Sequence, residues 1–173
     1  TNDSLSIGTN DMTVLDNANA FATFANDGQF MPAYMIEKIV TKDGDTIYEH
    51  EPESVDVFSP QSAYLTYDIL RDVISEGTAT YLKSQLNNNN VDWAAKTGTS
   101  SYYYDAWFVG MNPNVTMTSW IGYKTQASVK CDGCSLTYHQ RNMTLWSQVI
   151  NALAEVDSEL ITPNEKLKQP DGI

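Results

Sequence analysis

The sequence predicts an α+β fold in which helices cover an antiparallel sheet. Two amphipathic stretches, 12–27 and 59–76, read as helices. Three strand-like stretches follow between 91 and 123, the last two separated only by Asn112-Pro113-Asn114. An apolar stripe within 144–155 then supplies a helix for one face of the sheet.

In the first helix Val14, Ala18, Phe21, Ala22 and Ala25 fall at spacings of three and four on one face. Asn26-Asp27-Gly28 ends it, with Gly28 suited to the left-handed C′ position. Residues 35–40 read as a strand. Lys42-Asp43-Gly44-Asp45 is turn chemistry, so Thr46-Ile47-Tyr48 returns as a small hairpin. Ser59-Pro60 is an N-cap followed by proline at the first helical position. Ala63, Tyr67, Leu70 and Ile74 continue the buried face of that helix until Gly77 breaks it. Residues 78–86 read as a short helix and the four asparagines at 87–90 as an exposed loop tip.

The three strands are placed at 91–100, 105–111 and 116–123. The Asn112-Pro113-Asn114 turn makes the last two an antiparallel hairpin. In the last helix Trp146, Val149, Ile150 and Leu153 form a stripe that reads as core packing on the sheet, not a cofactor pocket. Residues 1–161 are read as part of one domain and 162–173, polar with two prolines, as a tail without regular structure. Three strands make a narrow sheet for this much apolar sequence, which hints that further strands belong to it.

Composition excludes several classes of function. The 173 residues fit one domain or part of a larger one, and a 42% hydrophobic fraction is enough for a core. Lys and Arg number 10 against 22 Asp and Glu, a net charge of −12, and the pI is near 4.3. No basic stripe exists to meet nucleic-acid phosphates or an anionic membrane surface. No apolar run reaches the roughly 18 residues of a membrane span. No leader is visible, and a start at Thr1-Asn2-Asp3-Ser4 without Met reads as a processed piece or a fragment. Charged residues are only 18%, with Thr, Asn and Tyr supplying polarity, which suits an extracellular bacterial protein.

The two cysteines stand in Cys131-Asp132-Gly133-Cys134. With only His50 and His139 besides, they fall short of the usual four zinc ligands. The Asp-Gly turn suggests a tight loop whose thiols pair in an oxidising compartment. The sequons at Asn2, Asn114 and Asn142 are what chance gives in an Asn- and Thr-rich chain.

The segment with chemical content is Ala94-Ala95-Lys96-Thr97-Gly98-Thr99-Ser100. A lysine in mid-strand, followed by hydroxyl residues around a glycine, is odd for a buried strand. Glycine there marks a close approach to the backbone. Thr97 and Thr99 share a face, since strand side chains alternate. Such an edge suits an extended ligand that ends in a carboxylate and pairs with the strand. The plainer reading is an edge strand guarded by lysine against aggregation.

The context decides between these readings. Lys96-Thr97-Gly98 resembles the third motif of penicillin-binding proteins and serine β-lactamases, a Lys-Thr-Gly on a sheet-edge strand. Gly8-Thr9 and Met12-Thr13-Val14-Leu15, running through to Asn26-Asp27-Gly28, resemble the helix after the second motif of the penicillin-binding transpeptidases. Glu76-Gly77-Thr78-Ala79 is similar to their Gly-Thr-Ala segment, and Asp105-Ala106-Trp107-Phe108-Val109-Gly110 to the strand after the third motif. Trp120-Ile121-Gly122-Tyr123 is similar to the strand that comes next, and Pro170-Asp171-Gly172-Ile173 to a stretch beyond the transpeptidase domain of class A, bifunctional members.

The departure is equally informative. The family's nucleophile lies in Ser-x-x-Lys and its second motif is Ser-x-Asn. No serine of this sequence has lysine three positions on or asparagine two positions on. The resemblance therefore covers the C-terminal part of a β-lactamase/transpeptidase-like fold, without the nucleophile, its base or two of the five strands.

The resemblance implies a D,D-transpeptidase that cross-links peptidoglycan stem peptides ending in D-Ala-D-Ala through an acyl-serine, and that β-lactams acylate. Lys96 would place positive charge near the substrate carboxylate, and Thr97 and Thr99 would hydrogen-bond that carboxylate. Gly98 would admit the substrate backbone, and the Thr99 N–H would form half of the oxyanion hole. It implies no cofactor and no metal. Partners would be stem peptide, β-lactams and the N-terminal half of the domain, on the extracellular face of the bacterial cytoplasmic membrane. A non-catalytic β-lactam sensor, a D,D-carboxypeptidase and a β-lactamase are alternatives on the same fold. Among other residues, Asp105 beside Trp107 reads as a buried, hydrogen-bonded acid. His139 reads as solvent-facing in a polar loop. Tyr102-Tyr103-Tyr104 either lines the groove or packs on the surface.

Overall fold

The structure, a computed structural model, describes residues 4, 5 and 8–173, so the sequon at Asn2 lies outside the described residues. Helix α1 (Val14–Ala25) is capped by Thr13 and Asp16, each side chain bonding to the other's backbone N–H. It ends with the Gly28 N–H on the Thr23 carbonyl at 2.9 Å. Gly28 is left-handed as expected but sits one position further on, because Asp27 also takes positive φ. A Cβ at Gly28 would meet the Phe58 carbonyl oxygen at 2.3 Å, so only glycine fits.

Strand β1 (Gln29–Phe30) pairs with β4 (Val55–Asp56), a contact the sequence did not announce. Between them β2 (Lys38–Val40) and β3 (Thr46–Glu49) form the expected hairpin. Here β2 starts three residues later than its sequence pattern suggests, because the ladder ends at the Lys38–Glu49 pair. Helix α2 (Pro60–Ser75) begins at the Ser59 cap and buries Ala63, Tyr67 and Ile74. The segment after it is a 3₁₀ turn, Thr80–Ser84, in place of the expected helix over 78–86. Leu82 and Leu86 anchor it in the core.

The main sheet consists of β5 (Ala94–Thr99), β6 (Asp105–Met111) and β7 (Thr116–Gly122), antiparallel in that order. Alternation along the strands sorts its side chains into two faces. Ala94, Met111 and Tyr67 form a cluster with Phe21 and Phe24, so α1 and α2 cover one face. Ala95, Phe108 and the helix α3 (Tyr138–Val156) form the larger cluster on the other. At its centre Trp146 lies 5.0 Å from Trp93 and 5.2 Å from Phe108, centroid to centroid. A Cβ on Gly110 would stand 2.4 Å from the Trp146 ring, so the glycine is the seat of the tryptophan.

α3 begins six residues before the expected Thr144. Thr137 and Gln140 form a capping box at its start. The buried stripe is Asn142, Met143, Trp146, Ser147 and Ile150, and Val149, read as core, is 44% exposed. Asn142 is fully buried and donates to the carbonyls of Ala106 and Ser119, which ties the helix start to β6 and β7. Thr137→Ala is expected to lower stability by about 1 kcal/mol, the usual cost of an N-cap. Chemical denaturation checks this, and an unshifted midpoint would show that packing alone holds the helix start.

Cys131 and Cys134 are disulfide-bonded. Residues 162–173 have no regular structure but are held along the fold. Leu167 N–H donates to Asp92 at 3.0 Å, and Gln61 donates to the Asp171 carbonyl at 2.9 Å. Among the described residues no helix is long and apolar enough to cross a membrane.

Candidate functional site

β5 is aimed by the residue two places before it. Asp92 accepts a two-pronged bond from Arg71 of α2, at 2.8 Å from Nε and 2.7 Å from Nη2. The same carboxylate holds Leu167, and the Asp92 carbonyl accepts the Tyr67 hydroxyl. These bonds draw Asp92 toward α2, so the ladder starts at Ala94 and not at Val91 as the sequence pattern suggests. The bonds to Asp92 push the Arg71 guanidinium above its ordinary range, and burial raises the Tyr67 phenol, so both keep their protons.

β5 pairs only with β6 among the described residues, leaving its other edge open. Lys96 is exposed, and its Nζ donates to the Thr97 carbonyl at 2.6 Å. Among the described residues no carboxylate pairs with this ammonium. Thr97 and Thr99 point to the α3 face, and Lys96 and Gly98 to the opposite one. Gly98 lies across from Trp107, and a Cβ on it would come within 3.1 Å of the Trp107 Cβ. A side chain here would press on the Trp107 Cβ.

Each threonine hydroxyl has a partner from another element. Thr97 Oγ1 lies 3.1 Å from Thr78 Oγ1, in the segment that follows α2. Thr99 Oγ1 lies 3.1 Å from His139 Nε2. His139 is therefore not a solvent-facing loop residue but sits half-buried in the first turn of α3. Burial first, and then the charge of Lys96, push its imidazole below the ordinary histidine range. The unfolded chain takes up that proton more readily, so this contribution to stability is present above the ordinary histidine pKa and lost as pH falls below it.

The end of β5 is clasped at its turn. Ser100 donates to Asp105 at 2.6 Å, and Trp120 Nε1 donates to the other carboxylate oxygen at 2.9 Å. Asp105 is thus a half-buried, hydrogen-bonded acid, as the sequence suggests, with the Trp120 indole as one of its partners. Tyr102 and Tyr103 both take positive φ. Tyr102 is 76% exposed, while Lys130 lies over the Tyr103 ring at 3.5 Å and Val129 N–H bonds the Tyr103 carbonyl. Of the three tyrosines, Tyr103 is the one that fastens the cysteine loop next to the strand.

Among the described residues no group of three or more His, Cys, Asp or Glu could hold a metal ion. An open pocket of about 690 Å³ lies elsewhere, beside the β1–β4 pair and the start of α2, and includes none of the β5 residues. Sequence reasoning missed Thr78 as a partner of Thr97 and His139 as a partner of Thr99. The capping box at Thr137 and Gln140 was the signal that would have put His139 on a helix beside the sheet.

A family described as penicillin binding protein transpeptidase domain matches residues 2–141. Penicillin-binding protein 1A of Clostridium novyi is 28% identical over 169 residues, covering 98% of this chain and 18% of that protein. The crystal structure of penicillin-binding protein 1A from Haemophilus influenzae superposes with a TM-score of 0.80 at 22% identity, over 98% of this chain and 30% of the other. PonA1 from Mycobacterium tuberculosis in complex with penicillin V superposes at 0.79 with 21% identity, over 99% and 45%. The chain spans roughly a fifth of the length of the curated relatives it matches.

Proposed function

The chain belongs to the penicillin-binding protein transpeptidase family, and from that premise we propose that it supplies the Lys-Thr-Gly strand of a serine D,D-transpeptidase. The observation that carries this reading is the open edge of β5, with two fixed threonine hydroxyls on one face and, on the other, the Lys96 ammonium, which no carboxylate pairs among the described residues. Lys96 supplies the positive charge for a substrate carboxylate. Thr97 and Thr99 donate hydrogen bonds to it, and Gly98 leaves room for an extended peptide to pair with the strand. The Thr99 N–H forms one half of the oxyanion hole. The nucleophilic serine, its lysine and the Ser-x-Asn element come from sequence outside these 173 residues.

On this reading the substrate is a peptidoglycan stem ending in D-Ala-D-Ala. The serine displaces the terminal D-Ala, the acyl group stays on the serine, and an amine of a neighbouring stem receives it. β-Lactams acylate the same serine on this reading; the PonA1 structure in complex with penicillin V supports β-lactam binding. Residues 1–161 belong to the catalytic domain, and 162–173 form a tail leaving it along α2. Relatives named penicillin-binding protein 1A favour a class A, bifunctional synthase working outside the cytoplasmic membrane.

The test is labelling of the full-length protein with a fluorescent penicillin, followed by turnover of a D-Ala-D-Ala stem peptide with an acceptor amine. Labelling with cross-linked product is the expected result. Labelling without any release of D-Ala would point to a sensor. Release of D-Ala without cross-linking would point to a carboxypeptidase.

A further inference from the structure

We propose that His139 is a positioning residue that directs the Thr99 hydroxyl proton toward the ligand and so tunes this edge to ligands ending in a carboxylate. The inference rests on the transpeptidase reading of β5. A threonine hydroxyl carries one proton and two acceptor positions, and a neutral imidazole has one N–H and one lone pair. With Nε2 3.1 Å from Thr99 Oγ1, only two arrangements exist. If the Nε2 lone pair accepts the hydroxyl proton, Thr99 has none left for a ligand. If Nε2–H donates to the hydroxyl oxygen, the Thr99 proton is free to point into the groove.

The surroundings keep this choice available. Lys96 acts on the ring electrostatically, and the Tyr138 ring stands 4.3 Å away. Tyr138 in turn touches Tyr103, which carries Lys130 on its face. Lys96 and Lys130 are both cations, and the ring sits in the first turn of a helix, where positive charge is disfavoured. The imidazole is therefore neutral and can take either tautomer. A carboxylate arriving beside Thr99 favours the Nε2–H form, because only that form lets the hydroxyl donate to it. A neutral end group gains less from that arrangement. The helix start does not need the imidazole, since Thr137 and Gln140 make the cap by themselves.

The test measures acylation of the full-length protein by a penicillin and by its methyl ester, which lacks the charge. His139→Phe is expected to weaken the acid's apparent binding about tenfold with little change in the limiting acylation rate, and to leave the ester unaffected. His139→Gln, whose amide N–H stands near the Nε2 position, should restore the preference for the acid. His139→Asn, too short to reach Thr99, should behave like the Phe variant and serves in its place if Phe does not fold. Equal losses for acid and ester, or no rescue by a Gln variant of parental melting temperature, would overturn the proposal. Lys96→Ala is the control. If it abolishes the preference for the acid while the His139 variants keep it, only the role of His139 is wrong. If neither matters, the reading of β5 is wrong.

Discussion

Lys96→Ala in the full-length protein is expected to slow acylation by penicillin by about 10²–10³-fold while the fold survives, a size set by analogy with the loss of one oxyanion donor. The fold should survive because Lys96 is exposed and, among the described residues, its ammonium bonds to the carbonyl of the next residue and to no other element. The anchors of β5 are elsewhere, in the Arg71–Asp92 fork and the ladder to β6. The chemistry should suffer because no other cation stands on the strand. Thr97 and Thr99 offer dipoles, and a dipole does not replace a charge against a carboxylate. Stopped-flow acylation beside a thermal melt separates the two effects. Equal rates for variant and parent would count against a catalytic Lys96, and a collapsed melt would mean that its aliphatic stem is needed for packing.

What the sequence made legible follows from the range of the interactions involved. The start of α2 was visible because Ser59 and Pro60 act within one turn of helix. The β6–β7 hairpin was visible because Asn112 makes its turn locally, accepting from the backbone N–H groups of Asn114 and Val115. The β1–β4 pair was not, because each strand has two residues and the partners lie 25–27 positions apart. The first turns of α3 were hidden by their own polarity. Asn142 occupies a core position, and its burial makes sense only once the carbonyls of Ala106 and Ser119 are seen above it.

The site divides in the same way. Lys96, Thr97, Gly98 and Thr99 are contiguous, so the sequence displays them together. Thr78 and His139 reach the strand from 19 and 40 residues away, and only the packing of α2 and α3 on the sheet brings them there. The side-chain alternation that put Thr97 and Thr99 on one face also sends Lys96 to the other. The ammonium and the hydroxyls therefore stand on opposite sides of the strand edge.

The 173-residue chain on its own is expected to take up no β-lactam covalently and to self-associate in solution. Acylation needs a hydroxyl next to a base, and the chain's fourteen serines include none with lysine three positions on. Ser100, just past the end of β5, already donates to Asp105, an arrangement that holds a turn and activates no nucleophile. On the proposed reading, a carboxylate clamp and half an oxyanion hole would orient a ligand without forming the bond. The association follows from what the described residues leave open. β7 has seven residues and no partner on the side away from β6, an invitation to pair with another strand. Beside it Trp120 is 38% exposed, and Val14 and Leu15 of α1 are 38% and 59% exposed. Intact-mass spectrometry after incubation with penicillin tests the first expectation, since one added drug mass would refute it. Sedimentation tests the second. A cooperative, folded monomer at micromolar concentration would show that three strands and their helices are sufficient without a second copy or the rest of the domain.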